Sequence, residues 1–182
     1  MIIGFLAKKR CGKDTACDYI VKKHNYTKLS FAHPLKKCVK ELFGFTSNQL
    51  HSEQKEIEDL YWGIKPRKVL QFLGTDVVRD LFPKKLLKDI GNNFWIKRTD
   101  LWYKQNYEKH KDKIVFSDVR FQNEVDYIHS INGIIVKITR DNLCNDIHKS
   151  ELEIDSIKNY DILIDNNSTK EELYKKLDKI LN

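Results

Sequence analysis

No apolar run in the sequence approaches the length of a membrane span, so a transmembrane helix is not expected. The N-terminus starts on strand-like residues and shows no small-residue cleavage site, so no secretory signal is expected there. The four cysteines, Cys11, Cys17, Cys38 and Cys144, form no CxxC pair and no ligand spacing with histidine. That argues against a disulfide framework or a zinc site and for reduced thiols in a cytoplasmic protein. Nor is there a dense basic tail or arm, although the net charge is +7. Such a charge fits either a nucleic-acid partner or a pocket for small, highly charged phosphates. Its spread along the chain favours the pocket, with no stable nucleic acid and no membrane as partner. No internal repeat or low-complexity tract interrupts the 182 residues, a length that suits one domain with a core of its own.

What is present is concentrated at the start. Ile2, Ile3, Phe5 and Leu6 form a short continuous apolar run, the pattern of a strand buried on both faces. A basic turn containing Lys9, Arg10 and Cys11 leads into Gly12-Lys13-Asp14-Thr15, and Ala16 to Val21 read as a helix. A strand, a phosphate-sized turn and a helix N-terminus in that order make an anion site. The first-turn N–H groups have no intrahelical acceptor, and the helix dipole adds positive charge there. Lys13 would set a full positive charge beside bound phosphates. Measured against the phosphate-loop pattern Gly-x-x-x-x-Gly-Lys-[Ser/Thr], Ala7 replaces the first glycine and Asp14 the hydroxyl residue, with Thr15 one place later. Ala7 is tolerable where that position needs no positive φ, and Asp14 is a hard oxygen ligand able to hold Mg²⁺ directly or through water. The plainer alternative is an ordinary capped helix start.

Further along, Tyr26–Phe31 reads as a second strand, and Pro34 opens a helix with stripe Leu35, Cys38, Val39 and Leu42, stopped by Gly44. Residues 45 to about 63 are polar and read as a mobile insertion with some helix. Val69, Leu70, Leu73, Val77, Val78 and Leu81 have helical spacing, with Gly74 marking a kink or a close approach by a ligand. A helix from about Phe94 to Tyr107 precedes the strand Ile114-Val115-Phe116-Ser117-Asp118. Val125, Ile128 and Ile131 mark a helix before Gly133, Ile134–Ile138 is a fourth strand followed by Arg140, and Ile162–Ile164 is a fifth. A last helix starts within Ser168–Glu172 at capping-box spacing, with stripe Leu173, Leu177 and Ile180. Strands alternating with helices imply an α/β fold with a parallel sheet and right-handed crossovers, whose ligands bind beyond the strand carboxyl ends. The phosphate loop, Asp118 and Arg140 all fall at such ends, which points to nucleotide-dependent phosphoryl transfer.

Five blocks carry a resemblance. They are Gly12-Lys13-Asp14-Thr15, Phe31-Ala32-His33-Pro34-Leu35-Lys36, Pro66-Arg67-Lys68-Val69-Leu70-Gln71-Phe72-Leu73-Gly74-Thr75-Asp76, Ser117-Asp118-Val119-Arg120-Phe121-Gln122-Asn123-Glu124 and His148-Lys149-Ser150-Glu151. In order and spacing the chain resembles the phage and viral deoxynucleoside monophosphate kinases, and more distantly the dephospho-CoA and animal-type phosphomevalonate kinases. It departs from them at Ala7 and at Lys9-Arg10-Cys11, where glycine and serine are more usual. The resemblance implies a P-loop kinase of three α/β/α layers with a five-stranded parallel sheet, a core of residues 1–44 and 110–182, a helical acceptor-binding region at 45–109 and a lid at about 140–160. It also implies ATP and Mg²⁺ as cofactors and a deoxynucleoside 5′-monophosphate as the small-molecule substrate. Whether two chains form a homodimer is left open.

Such a reaction needs two crowded anions neutralised and aligned, for which arginine is suited because it grips phosphate bidentately and keeps its charge. Arginines are few here, so Arg67, Arg79, Arg120 and Arg140 are the candidates. Lys13, Arg120 and Arg140 are assigned to catalysis. Lys9, Arg10, Cys11, Gly12, Lys13, Asp14, Thr15 and Arg140 are assigned to ATP, and Asp14 and Asp118 to the metal. Lys36, Arg67, Gln71, Thr75, Arg79, Trp95, Asp118 and Arg120 are assigned to the acceptor. Lys36 reads equally as a solvated lysine and Trp95 equally as core; Cys11 is an oxidation point if its thiol is exposed. His148 and Glu151 match a block whose role the residues do not reveal. Two alternatives remain: kinase action on another phosphorylated metabolite, or a degenerate phosphate loop in a nucleic-acid-binding protein.

Overall fold

The computed structural model describes residues 1–110, 113–141 and 149–181. Cys144 and His148 lie outside the described residues, as does the Glu151 side chain, so the expectations for that block are not addressed. In chain order the elements are β1 Ile2–Leu6, α1 Lys13–His24, β2 Thr27–Leu29, α2 His33–Phe43, α3 Ser47–His51 and a 3₁₀ turn Glu53–Glu56. Next come α4 Pro66–Gln71, a π-helical stretch Phe72–Leu81, α5 Phe82–Lys85, a 3₁₀ turn Lys88–Ile90 and α6 Phe94–His110. The chain closes with β3 Ile114–Val119, α7 Gln122–Ser130, β4 Ile134–Thr139, α8 Lys149–Ser156, β5 Ile162–Asp165 and α9 Lys170–Leu181. It divides into two compact units, Met1–Phe31 with Asp100–Asn182, and Ala32–Thr99. No described helix is long and apolar enough to cross a membrane.

The first unit is built on one five-stranded sheet in the order β2-β3-β1-β4-β5. Every pairing is parallel, as the alternation of apolar strands and helical stripes requires. β1 lies at the centre, and its side chains alternate between two covered faces. Ile3 and Phe5 join Val115, Val136, Ile138 and Ile164 in a cluster closed by Ala16, Cys17 and Ile20 of α1 and Leu173 and Leu177 of α9. On the other face, a Cβ at Gly4 would lie 2.6 Å from Ile128 of α7. Each such isoleucine or phenylalanine contributes about 1.5–3 kcal/mol on burial. Burial also pushes the Cys17 thiol up, so it packs as an inert apolar group.

The second unit has its own core, drawn from Leu35, Val39, Phe45, Leu50, Val69, Val78 and Trp95. Its 45–63 stretch is held more firmly than its polar composition suggests. Phe45 and Leu50 are both about fully buried at 1% exposure. Thr46 and Gln49 form a capping box, and Asp59 accepts from Tyr61 N–H, Trp62 N–H and Gln49 Nε2. Two apolar anchors decided the outcome, not the many exposed polar residues between them. Gly74 lies at a close approach of protein: a Cβ there would lie 2.6 Å from Leu35 Cδ2, and its carbonyl accepts from Trp95 Nε1 at 2.9 Å. The helix there widens into π geometry rather than kinking. β2 is shorter than expected, and Thr169 is the hydroxyl that caps α9, accepting from Glu172 N–H at 3.3 Å.

Within the first unit, α1 is clamped to α9. Tyr19 stacks on Tyr174 with centroids 3.9 Å apart, and its hydroxyl meets the Asp178 carboxylate at 2.9 Å. Lys23 Nζ donates to the same carboxylate at 2.7 Å and His24 Nε2 lies 3.0 Å from it. Hydrogen bonds from Lys23 and His24, opposed by desolvation and aided by Tyr19, hold the Asp178 carboxyl at about 2, below its ordinary 3.8. A carboxyl depressed on folding contributes stability above its unfolded value, which is lost as pH falls through the folded one. Asp178→Asn should therefore show a shallower fall in Tm than the native chain between pH of about 4 and about 2, measured by thermal denaturation.

Candidate active site

Because all strands run parallel, their carboxyl ends share one edge of the first unit, and the chain segments leaving that edge carry the charged candidates. The link after β1 runs towards β2 and the link after β4 towards β5, on opposite sides of the sheet order. In sheets of this kind, ligands bind beyond the carboxyl ends of strands whose links diverge in this way. Residues 7–15 leave β1 there, and Arg140 follows β4.

The loop is shaped by two left-handed residues, Arg10 at φ 67° and Gly12 at φ 97°. Glycine adopts such a φ without cost, whereas Arg10 is held there at about 1–2 kcal/mol, so strain is concentrated in this turn. Gly12 N-caps α1, its carbonyl accepting from Ala16 N–H at 3.0 Å, so the first-turn N–H groups of α1 face the loop without i−4 carbonyls. Lys13 Nζ lies 3.6 Å from the exposed Asp14 carboxylate. Thr15 is half-buried and Lys9 is half-buried beside an exposed Arg10. Cys11 is only 3% exposed, which answers the question of its thiol: it packs into the apolar cluster. Lys8, absent from the sequence-based candidates, pairs with Asp155 of α8 at 2.7 Å. Lys137 Nζ in turn donates to the Ile154 and Ile157 carbonyls, fixing the end of α8 over β4.

Asp118 sits near the end of β3, where it accepts from Ser30 Oγ at 2.6 Å and from Phe31 N–H at 2.9 Å. Its carboxylate thereby ties the exit of β2 to β3. Arg120 is half-buried one step past the strand. Its backbone N–H and that of Phe121 donate to Glu124 Oε2 at 2.9 and 3.2 Å, so the buried Glu124 caps α7 and sets the turn from which Arg120 projects. Glu124 was legible as a capping glutamate three residues after Phe121, but not as part of the site. Arg140 is exposed. Asn166, also outside the sequence-based candidates, is buried at the end of β5 and donates from Nδ2 to the Cys11 carbonyl at 2.8 Å.

The remaining candidates belong to the second unit. Arg67, at the start of α4, pairs through Nε with Glu56 of the 3₁₀ turn. Gln71 is half-buried one turn later, and Thr75 is buried one turn beyond that. Arg79 is buried and donates to the Asn92 carbonyl at 3.2 Å, so part of its guanidinium joins the π-helical stretch to the segment before α6. Trp95 is buried with its indole N–H on Gly74 and its ring edge against Phe94, a packing position. Lys36 Nζ lies 3.3 Å from His51 Nδ1.

Among the described residues, no three His, Cys, Asp or Glu side chains gather into a metal-binding group. Magnesium in phosphoryl-transfer sites is held by one or two carboxylates, water and substrate phosphates, not by a protein cage. An exposed Asp14 with Thr15 on the first turn of α1, and Asp118 at the same sheet edge, is a donor set of that sparse kind.

Comparison with known proteins accords with this geometry. A family model for deoxynucleotide monophosphate kinase matches residues 1–60 and 43–177. A protein of Acanthamoeba polyphaga mimivirus assigned as a deoxynucleotide monophosphate kinase is 41% identical over 182 residues, covering 97% of this chain and 94% of that protein. The deoxynucleotide monophosphate kinase of Escherichia phage RB69 is 31% identical over 121 residues, or 66% of this chain and 45% of the phage enzyme. In three dimensions the chain is similar to a dephospho-CoA kinase from Campylobacter jejuni, with TM-score 0.52 and 18% identity over 99% of this chain and 94% of that one, a likeness of fold alone.

The loop geometry generates a test independent of activity. A Cβ at Gly12 would lie 2.3 Å from Asn166 Nδ2 on a backbone at φ +97°. Gly12→Ala should destabilise the chain by about 1–3 kcal/mol, read from the urea midpoint, whereas Gly63→Ala, at a left-handed turn with open space, should cost no more than about 1–2 kcal/mol.

Proposed function

The chain belongs to the deoxynucleotide monophosphate kinase family, and on that premise we propose that it transfers the γ-phosphoryl group of ATP to a deoxynucleoside 5′-monophosphate, giving ADP and the deoxynucleoside diphosphate. The observation that carries the reading is the single sheet edge that gathers the Gly12-Lys13-Asp14-Thr15 loop, Asp118, Arg120 and Arg140. The alternation of strands and helices implies such a shared edge, and the parallel pairing of β1, β3 and β4 is consistent with it.

The acceptor is a phosphate monoester with a second pKa near about 6, so its attacking oxygen is already largely anionic at neutral pH. No general base is needed, and the chemistry reduces to neutralisation and in-line alignment. The α1 N-terminus and Lys13 receive the ATP phosphates. Arg120 and Arg140 stabilise charge on the transferring group from the ends of β3 and β4. Asp14, Thr15 and Asp118 are the residues that would hold Mg²⁺, which would supply positive charge to offset that of the phosphates. In the second unit, Arg67 takes the acceptor phosphate, oriented by its pair with Glu56, and Gln71 and Thr75 supply polar contacts along the same helical run.

ADP release from ATP–Mg²⁺ should follow addition of one or more deoxynucleoside monophosphates. Turnover with dephospho-CoA or phosphomevalonate alone, or silence with every acceptor, would overturn the reading. Lys13→Ala should lower kcat at least about 100-fold while leaving Tm nearly unchanged; a large fall in Tm would make Lys13 structural. Arg67→Lys keeps the charge but loses the planar fork, and should raise the acceptor KM about tenfold with the ATP KM unchanged.

A further inference from the structure

Asn166 is the first residue past β5, and its environment is unusual for an asparagine in a strand–helix turn. It is buried, with 8% of its surface exposed. Its backbone N–H donates to the Thr139 carbonyl at 2.9 Å, continuing the β4–β5 pairing one step past β5. Its side-chain Nδ2 spans to the Cys11 carbonyl at 2.8 Å, 155 positions away in the chain. The main chain is thus pinned to the sheet while the carboxamide grips the phosphate loop.

The following residue braces the same turn. Asn167 Nδ2 donates to Asp141 Oδ2, and Asp141 N–H donates to Asn167 Oδ1, both at 2.8 Å. Asn167 N–H also donates to Asp165 Oδ1 at 2.8 Å. The carboxamide of Asn166 therefore projects from a turn fixed on both sides.

What it grips matters. Among the described residues there are no cis peptide bonds, so the Cys11–Gly12 peptide is trans and planar, with its C=O and N–H pointing in opposite directions. Anchoring the Cys11 carbonyl on Asn166 aims the Gly12 N–H away from Asn166. The other end of the Cys11 residue is fixed as well, its N–H donating to the Lys8 carbonyl at 3.3 Å. The Asn166 amide also occupies the space that a side chain at position 12 would need, so the two residues fit only as a pair.

We infer that Asn166 is a positioning residue for ATP, holding the Cys11–Gly12 peptide in the orientation that the phosphates require. This rests on the kinase reading above. A loop already fixed by the sheet does not have to be ordered when the nucleotide arrives, so the bond acts through preorganisation. Asn166 itself need not touch ATP.

The experiment is calorimetric titration of the native chain, Asn166→Ala, Asn166→Asp and Lys13→Ala with a non-hydrolysable ATP analogue and, separately, with a deoxynucleoside monophosphate. It is paired with KM measurements for both substrates. Losing one neutral hydrogen bond corresponds to about fivefold to tenfold, so Asn166→Ala should bind the analogue about tenfold more weakly. Asn166→Asp keeps the size but loses the donor and sets a carboxylate against a carbonyl near the phosphates, so its loss should be larger. Monophosphate affinity and its KM should stay within about twofold for both variants, since a change confined to ATP is what a mere loss of folding would not give. Unchanged analogue binding in both variants would overturn the inference, as would parallel losses of both ligands with a lowered Tm. A native chain that binds no analogue would overturn the kinase reading itself, and the inference with it.

Discussion

Burial of β1 on both faces is the constraint on which the site depends. Ile2, Ile3, Phe5 and Leu6 have at most 2% of their surface exposed, between β3 and β4 in the sheet and between helices above and below it. A strand so enclosed has one direction in which it can leave the sheet, and the phosphate loop inherits it. Gly12 then turns the chain into α1, whose own position is fixed by Ala16, Cys17 and Ile20 in the same cluster. The loop is therefore held at three points: the end of β1, the start of α1, and the carboxamide of Asn166.

The second unit solves a different problem with different means. It has no sheet, and its helices are short, so side-chain bonds to backbone carbonyls and N–H groups do much of the fixing. Trp95 donates to the Gly74 carbonyl, Trp62 to the Phe43 carbonyl, Arg79 to the Asn92 carbonyl, and Asp59 accepts from two successive N–H groups. Large side chains with one polar tip suit this, because they fill volume and satisfy a buried backbone group at once. Arg67 stands on such a frame, with Glu56 beside it to hold the guanidinium.

Several charged residues in the site region have structural partners of their own. Asp118 joins β3 to the exit of β2, Glu124 caps α7, and Lys8 reaches Asp155. Phosphoryl-transfer sites need many fixed charges close together, and each must be held against its neighbours before any substrate is present. Partner bonds of this kind hold the groups in place before a substrate arrives.

The order of elements was legible in the sequence, because apolar runs of strand length and helical stripes depend on residues close together in the chain. The five strands, the phosphate loop and the acidic and basic residues at strand ends all follow from such local patterns. Local pattern also misled in places. The 45–63 stretch looked loose because its exposed residues outnumber Phe45 and Leu50, and Gly74, which suggested a kink or a close approach by a ligand, is where Leu35 and Trp95 close in. What only the tertiary structure decided are the partners: which strand lies beside β1, which carbonyl Asn166 finds, which residue fills the space beside Gly74. These pairings join residues as far apart as Cys11 and Asn166, and each is selected by burial and hydrogen-bond geometry across the packed sheet, which no window of adjacent residues contains.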